Sequence, residues 1–448
     1  MRRRFGILLS AGLAFLGLAF SNGVANATVS STPALTPQLA TTSSDKTIEQ
    51  VRQLTICNNG PGGAPIVYAV GLFTDVKNGN STLIVHRKNA FAFSAVSPYH
   101  ITSWNPQVNG QVDTVACAPD GSVLIGGTFS AVGTTTTGVR NIARVDNLNG
   151  AALPFTPAPL FSGRVAHIEV VQGHALVGGY FPGYLRSIKP TTGANDGYTL
   201  PAISGHYSYT DAGQAAAANA TRIWNMNVSP DGKAVLMTGV FTSVGGQHHE
   251  QIFRLNMGST AGTVSPWNPT ELYSHCYYRE PFWAQDATWS PDMRTIFVGT
   301  TGYRLAGDTN PNSHTRTGPC DAAIAYSATQ ASFSGHTWIN YTGCDSLFSV
   351  AADASTLFIA GHERNIDNPS KGGCDTDTPP PPGRKQPGLG EITPSTGKSQ
   401  PGPSRGRGLG ADDMVRTAAG LWIASDNQAN TSTCAGKGGH MGICYLPN

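Results

Sequence analysis

The chain has 448 residues, a formal net charge of +2 at pH 7, only 12% charged residues, 53 glycines and eight cysteines. So balanced a charge lacks the basic footprint that nucleic-acid binding requires. An even cysteine count with no C-x-x-C pair argues for a disulfide framework and against structural zinc.

The chain opens with Arg2, Arg3 and Arg4, then an apolar run from Phe5 to Phe20, then Val24-Ala25-Asn26-Ala27. A basic start, an apolar middle and a small-x-small end describe a signal peptide. Residues 1–27 are therefore expected to be removed after Ala27, giving a secreted mature chain. The leader takes three of the 29 basic residues with it and leaves 26 against 27 acids. The apolar run is short of the roughly 20 residues a bilayer span needs, and no later stretch is apolar enough. Residues 28–47 are rich in Thr, Ser and Pro. They either close the last repeat of the fold or stay a tail.

From residue 48 onward one phrase recurs. It reads Val70-Gly71-Leu72-Phe73-Thr74, Gly126-Gly127-Thr128-Phe129-Ser130, Gly178-Gly179-Tyr180-Phe181 and Thr238-Gly239-Val240-Phe241-Thr242. It fades to Val298-Gly299-Thr300, Ala360-Gly361-His362 and Ala424-Ser425. Spacing of 52 to 64 residues between aligned positions marks a repeat architecture. The second unit shows its parts: Val112–Ala116, a Pro119-Asp120-Gly121 turn, Val123–Phe129, Asn141–Val145, a turn at 147–150, and Leu153-Pro154-Phe155. Short β-rich runs joined by turn residues form an antiparallel sheet, and one sheet of this size cannot bury its own face. Radial packing solves that problem. First strands near Val51, Val112, Val165, Ile223, Phe282, Leu347 and Met414 predict an all-β, seven-bladed β-propeller of four-stranded antiparallel blades over residues 48–448. Residues 376–407 form a Pro/Gly-rich basic insertion, expected to be a solvated loop or a cationic arm for an anionic polymer.

The combination G-G-x-F-[ST], I-A-R-[VL]-D, T-G and W-N-P resembles the delta-sixty repeat β-propellers, exported bacterial proteins of unassigned function. The resemblance covers roughly residues 66–270. Gly127-Thr128-Phe129 and Ile142-Ala143-Arg144-Val145-Asp146 fit closely, whereas the Gly299 and Gly361 units lack the Phe and the Ser425 unit lacks the Gly. It implies a propeller fold and export, and no catalytic residue.

Loops leaving the second and fourth strands share one side of such a blade, and in the third to sixth units these are long. Elaborated loops on one side of a rigid scaffold are the usual binding side. They carry Tyr207 and Tyr209, His248 and His249, Tyr277, Tyr278 and Arg279, Trp283, and His362. Aromatic faces stack on the apolar faces of sugar rings while His and Arg take hydroxyls. The same aromatics would equally serve to pack the loops on each other.

Four cysteines sit on these loops, and Cys276–Cys320 and Cys344–Cys374 are the expected staples. Cys57 and Cys117 hold the same place in neighbouring first strands and are expected to pair. Cys434 and Cys444 would then close the last hairpin.

Catalysis would need converging acids, for which Glu280, Asp321, Glu363 and His275 are available. No G-x-S-x-G or H-E-x-x-H motif is present. The sequence therefore predicts a secreted monomeric binding module for a glycan or cell-envelope polymer, with no cofactor and no metal. A polysaccharide hydrolase or lyase is the alternative, followed by a structural envelope protein that contacts extracellular proteins.

Overall fold

A computed structural model describes residues 29–40, 48–206, 220–273, 282–302, 318–330, 333–343, 345–369, 382–428, 431–435 and 440–448. Residues 1–27, the expected signal peptide, therefore lie outside the described residues. Among them the structure is all-β, with short 3-10 turns at Pro61–Gly63 and Thr270–Tyr273 and no α-helix.

Among the described residues seven antiparallel sheets follow in chain order, with three smaller sheets of two or three short strands beside them. The first strands of the seven are Gln50–Cys57, Gln111–Cys117, Val165–Val171, Arg222–Val228, Ala284–Trp289, Leu347–Ala352 and Asp413–Thr417. Each pairs with the strand that follows it. The first strands touch one another in this order, and that of the last sheet touches that of the first. The sheets pack face to face as a β-propeller. Phe73, Phe129, Phe181 and Phe241, the aromatics of the recurring phrase, are all buried.

Four strands are reached only in the fourth and fifth sheets; the other five have three. In four of those, the expected fourth strand shrinks to one bridge: Phe93↔Ile101, Val145↔Ala152, Ile188↔Asn195 and Ile392↔Ser399.

The recurring glycine answers to a defect repeated in the ladder. In six first strands the register slips by one residue, between Val51/Gln53, Val112/Thr114, Val165/His167, Ile223/Asn225, Ala284/Asp286 and Leu347/Ser349. This is a β-bulge. It drives the backbone of the first strand against the second. A Cβ on Gly71, Gly127, Gly179, Gly239 or Gly361 would lie 1.9–2.2 Å from a carbonyl oxygen of that strand. The preceding glycines, Gly126 and Gly178, face the next sheet instead, where a Cβ would come within 2.5 Å of Val165 and 2.7 Å of Ile223.

Residues just after several of the bulges tie neighbouring sheets together, and Asp413 of the last, unbulged sheet does the same. Gln53 Oε1 accepts from Val115 N–H at 2.7 Å and Thr114 Oγ1 from Ile168 N–H at 2.9 Å. Asp286 Oδ2 accepts from Val350 N–H at 2.8 Å, and Asp413 Oδ2 from Leu54 N–H at 2.8 Å, joining the last sheet to the first. Residues 29–39 run along the edge of the last strand, Ile443–Pro447. Ser30, Ala34 and Leu39 donate backbone hydrogen bonds to Pro447, Tyr445 and Met441. Val29 and Leu39 are buried there.

Cys57 is bonded to Cys117, and Cys434 to Cys444. Cys320 is also disulfide-bonded. Cys276, Cys344 and Cys374, the other cysteines of the expected loop staples, lie outside the described residues.

Candidate functional site

The bulges do more than bend strands. The extra residue of each is forced out of the ladder toward the centre of the molecule. These residues are Arg52, Asp113, Ala166, Trp224, Gln285 and Phe348, and all six line a central cavity of about 340 Å³. Asp412 and Asp413 hold the corresponding place in the seventh sheet. The lining residues stand at the starts of first strands, and Tyr180 at the end of a second strand. The cavity therefore opens on the side that carries the long loops.

One wall is aromatic. Trp224 and Trp283 meet edge to face with centroids 5.4 Å apart. The Arg222 guanidinium lies 5.0 Å from Trp224, 5.7 Å from Trp283 and 5.1 Å from Tyr180, as cation–π contacts require. Both indole N–H groups are buried and donate no hydrogen bond.

The opposite wall is charged. Arg164 grips Asp113 with two hydrogen bonds of 2.8 and 2.6 Å. Burial opposes the Arg164 charge, but Asp113 prevails and raises its pKa. Gln111 also donates to Asp113, at 2.5 Å, so that carboxylate is well satisfied. Arg52 lies 3.8 Å from both Asp113 and Asp412, too far for a direct hydrogen bond. Burial pushes the Asp412 carboxyl up to about 7, with Arg52 working against the rise. Burial pushes Asp413 up to about 6 and Asp286, behind it, up to about 7. The Asp286 carboxylate is held by Asn225 at 2.7 Å as well as by Val350.

Of the residues expected to form the site, Trp283 lines the cavity. His362 adjoins it, its ring 5.1 Å from that of Phe348. Burial, with Arg407, lowers the His362 pKa. His248 and His249 do not line it. His248 bonds Glu250 at 2.9 Å and packs 4.5 Å from the Tyr273 ring, whose hydroxyl donates to the His248 carbonyl at 2.6 Å. That loop is fastened upon itself. His249 is only 1% exposed. Asp321 and Glu363 are fully enclosed, and Asp321 accepts from Ser346 at 3.2 Å. Burial raises Glu363 well above the usual carboxylate range. Tyr207, Tyr209, His275, Tyr277, Tyr278, Arg279 and Glu280 lie outside the described residues. Among the described residues no three His, Cys, Asp or Glu side chains are grouped to hold a metal ion.

Arg52, Asp113, Arg164, Arg222, Trp224 and Asp412 were not anticipated from the sequence. Their signal was present in the repeat itself. The residue 13 to 15 places before the aligned glycine is Asp113, Ala166, Trp224, Gln285 or Phe348. Only Arg52 breaks this offset, because the turn after its strand is longer.

No protein-family model matches the chain, and no curated protein matches it in sequence. Solved structures do resemble it. One is the extracellular domain of a protein described as a one-component system from B. thetaiotaomicron, at 9% identity and TM-score 0.47. That match covers 93% of this chain and 42% of the other, so the chain spans less than half of that domain. The Dos1 propeller is similar at 8% identity and TM-score 0.46, covering 93% of this chain and 95% of that one. A protein described as a 6-phosphogluconolactonase from Bacteroides uniformis follows at 12% identity and TM-score 0.42, covering 84% and 88%. The structural neighbours are β-propeller proteins. Among the described residues no helix is long and apolar enough to cross a membrane.

Proposed function

We propose that this chain is a secreted, seven-bladed propeller acting as a binding module for carbohydrate or a cell-envelope polymer, and that the ligand enters the central cavity from the long-loop side. One observation carries the reading. Trp224, Trp283 and Tyr180 surround the Arg222 guanidinium at the mouth of a cavity whose far wall is charged. A sugar presents an apolar C–H face and a rim of hydroxyls, and this wall offers an indole surface with charged groups opposite. The cavity volume falls within the range of small-ligand sites, and bulges that lock its lining residues reduce the cost of ordering them on binding. The loop residues Tyr207, Tyr209, Tyr277, Tyr278 and Arg279 remain proposed contacts for a longer polymer.

The test is the melting temperature of the oxidised chain 28–448 against a panel of polysaccharides and cell-wall fragments. A ligand at 100 times its Kd adds about 2.7 kcal/mol. A shift that disappears in Trp224→Ala and Trp283→Ala supports the cavity. A shift retained in both but lost in Tyr277→Ala moves the site to the loops. No shift with any sugar refutes the carbohydrate reading. Incubating a ligand found this way and assaying new reducing ends separates a binder from a hydrolase, with Asp412 as the acid to replace.

A further inference from the structure

Resting on that reading, we infer that the ligand is an acidic sugar, whose carboxylate is taken by Arg52 beside Asp412 while its ring lies against Trp224 and Trp283. The cavity holds three guanidinium groups, and two are already engaged. Arg164 is bound to Asp113 through both ends of its fork. Arg222 is packed among three rings and donates to the Ala220 carbonyl at 3.0 Å. Arg52 is different. Among the described residues its ion-pair neighbours stand at 3.8 Å, and its buried Nε–H has no acceptor. Arg52 is also the extra residue of its bulge, so the backbone fixes where it points.

Its neighbour Asp412 is equally unengaged, with Oδ2 buried and accepting no hydrogen bond. A guanidinium with a free edge is built for a carboxylate, which it binds with two parallel N–H···O bonds. The Asp113 carboxylate cannot turn to fill that edge, since Arg164 and Gln111 occupy it. Asp412 does not fill it in this structure either. A ligand carboxylate seated on Arg52 would therefore approach Asp412.

Two carboxylates side by side repel, unless one carries a proton. Asp412 is the group placed to do so. Burial, together with Asp426, Asp413 and Asp113, raises it, against Arg52. Asp413 behind it is faced by His167 and Glu169, with burial again the main cause of its rise. Once protonated, Asp412 changes from a repelling anion into an O–H donor toward the ligand. Binding of the acid then takes up a proton, and affinity falls as pH rises through about 7. A neutral sugar on the same indoles has no such dependence.

The experiment is isothermal titration of the oxidised chain 28–448 at pH 5.5 and pH 8. One pair of probes is a galacturonic acid tetramer and its methyl ester. A second is N-acetylmuramic acid and N-acetylglucosamine, which differ by the lactyl carboxylate. The two acids distinguish a uronate polymer from a peptidoglycan source. A charge-assisted pair predicts that one acid binds at least about tenfold tighter than its neutral counterpart at pH 5.5. That preference should shrink at pH 8, disappear in Arg52→Gln, and persist at pH 8 in Asp412→Asn. Equal binding of acid and neutral probes, or an acid preference that survives Arg52→Gln, overturns the inference and leaves the carbohydrate reading standing. No binding by either pair overturns the inference, and the polysaccharide panel then decides the broader reading separately. A melting curve of each variant shows whether a loss of binding is a loss of fold.

Discussion

Gly239→Ala tests whether the recurring glycine is required by the bulge opposite it. An added Cβ would lie 2.1 Å from the Arg222 carbonyl oxygen and 3.0 Å from the Ile223 Cα. Real Cβ contacts stay beyond 3.0 Å, so backbone must move by about 1 Å. Both neighbours are main-chain atoms of a strand whose next residues bond the adjoining sheet, so the site cannot relax by rotating a side chain. Overpacking of this kind costs about 3 kcal/mol or somewhat more. Unfolding entropy of about 2.1 cal/mol/K per residue gives the mature chain about 0.9 kcal/mol/K, so the melting point should fall by about 3 °C. Gly299→Ala is the control one place away in the repeat, in the phase of Gly126 and Gly178, facing Asp286 after the bulge. There the Cβ would meet only the Val350 Cγ1 at 3.0 Å and the Leu347 Cβ at 3.4 Å. A side chain that can shift should limit the loss to about 1 kcal/mol. Calorimetry of the two variants decides the matter. Equal losses would refute the claim that backbone contact at the bulge selects glycine. A further outcome follows from the place of Arg222 and Trp224 beside the shifted carbonyl: Gly239→Ala should weaken ligand binding, and Gly299→Ala should not.

Four further outcomes follow from the same structure. Thr114→Val removes the acceptor of the Ile168 N–H and leaves a buried donor unpaired, so denaturant titration should show a loss of about 1–3 kcal/mol, where Thr114→Ser shows less. Replacing Cys57 and Cys117 together by Ser opens a link 60 residues apart in sequence, which the chain-entropy argument values at about 4 kcal/mol; a melting point unchanged from the oxidised protein would contradict it. Deleting residues 28–40 strips the three backbone hydrogen bonds along Ile443–Pro447 and uncovers the last sheet, so protection from hydrogen exchange should fall first in that strand. Asp412 is raised to about 7 by burial, so the folded chain binds more protons than the unfolded one between about pH 4 and 7, and this group's contribution to stability falls as pH rises through that window. Buried His249, His362 and His440, lowered by burial, act with the opposite sign, so the informative quantity is the melting point of Asp412→Asn minus that of the native chain; it should grow from pH 5 to pH 8, and a flat difference refutes the raised carboxyl.

The period was legible because the ladder defect it records recurs unchanged. Val51, Val112, Val165, Ile223 and Leu347 each face a glycine across the first hairpin, and in the fifth sheet Thr300 takes that place opposite Ala284. The turns were legible for a similar local reason: Asp120, Asp231 and Asp292 each accept from the backbone N–H two residues on. The fourth strands were overestimated because a β-rich run does not fix how many of its residues pair. The cavity residues were missed for a different reason. Long loops advertise themselves by length and by aromatic content, whereas Arg52, Asp113 and Trp224 are single residues inside ordinary strands. Nothing in their immediate neighbours marks them. They share one phase of the repeat, and only the slip in register turns that phase inward.

That slip joins the stability of the scaffold to the chemistry of its centre. An unbulged strand would keep Arg52 or Trp224 in strict alternation, and it would then point between sheets with its neighbours. The bulge inserts one residue that belongs to neither face, leaving the apolar residues before it and the latch residues after it in place. The sheets can thus hold an unbroken core and unbroken inter-sheet hydrogen bonds while the inserted position varies from Arg to Asp to Trp. Ala166, at the inserted position of the third sheet, shows that the position tolerates a small side chain without disturbing Ile168, whose N–H still donates to Thr114 of the second sheet. Substitutions at the inserted positions should accordingly change what the cavity binds far more than how firmly the protein folds, while substitutions one residue to either side should do the reverse.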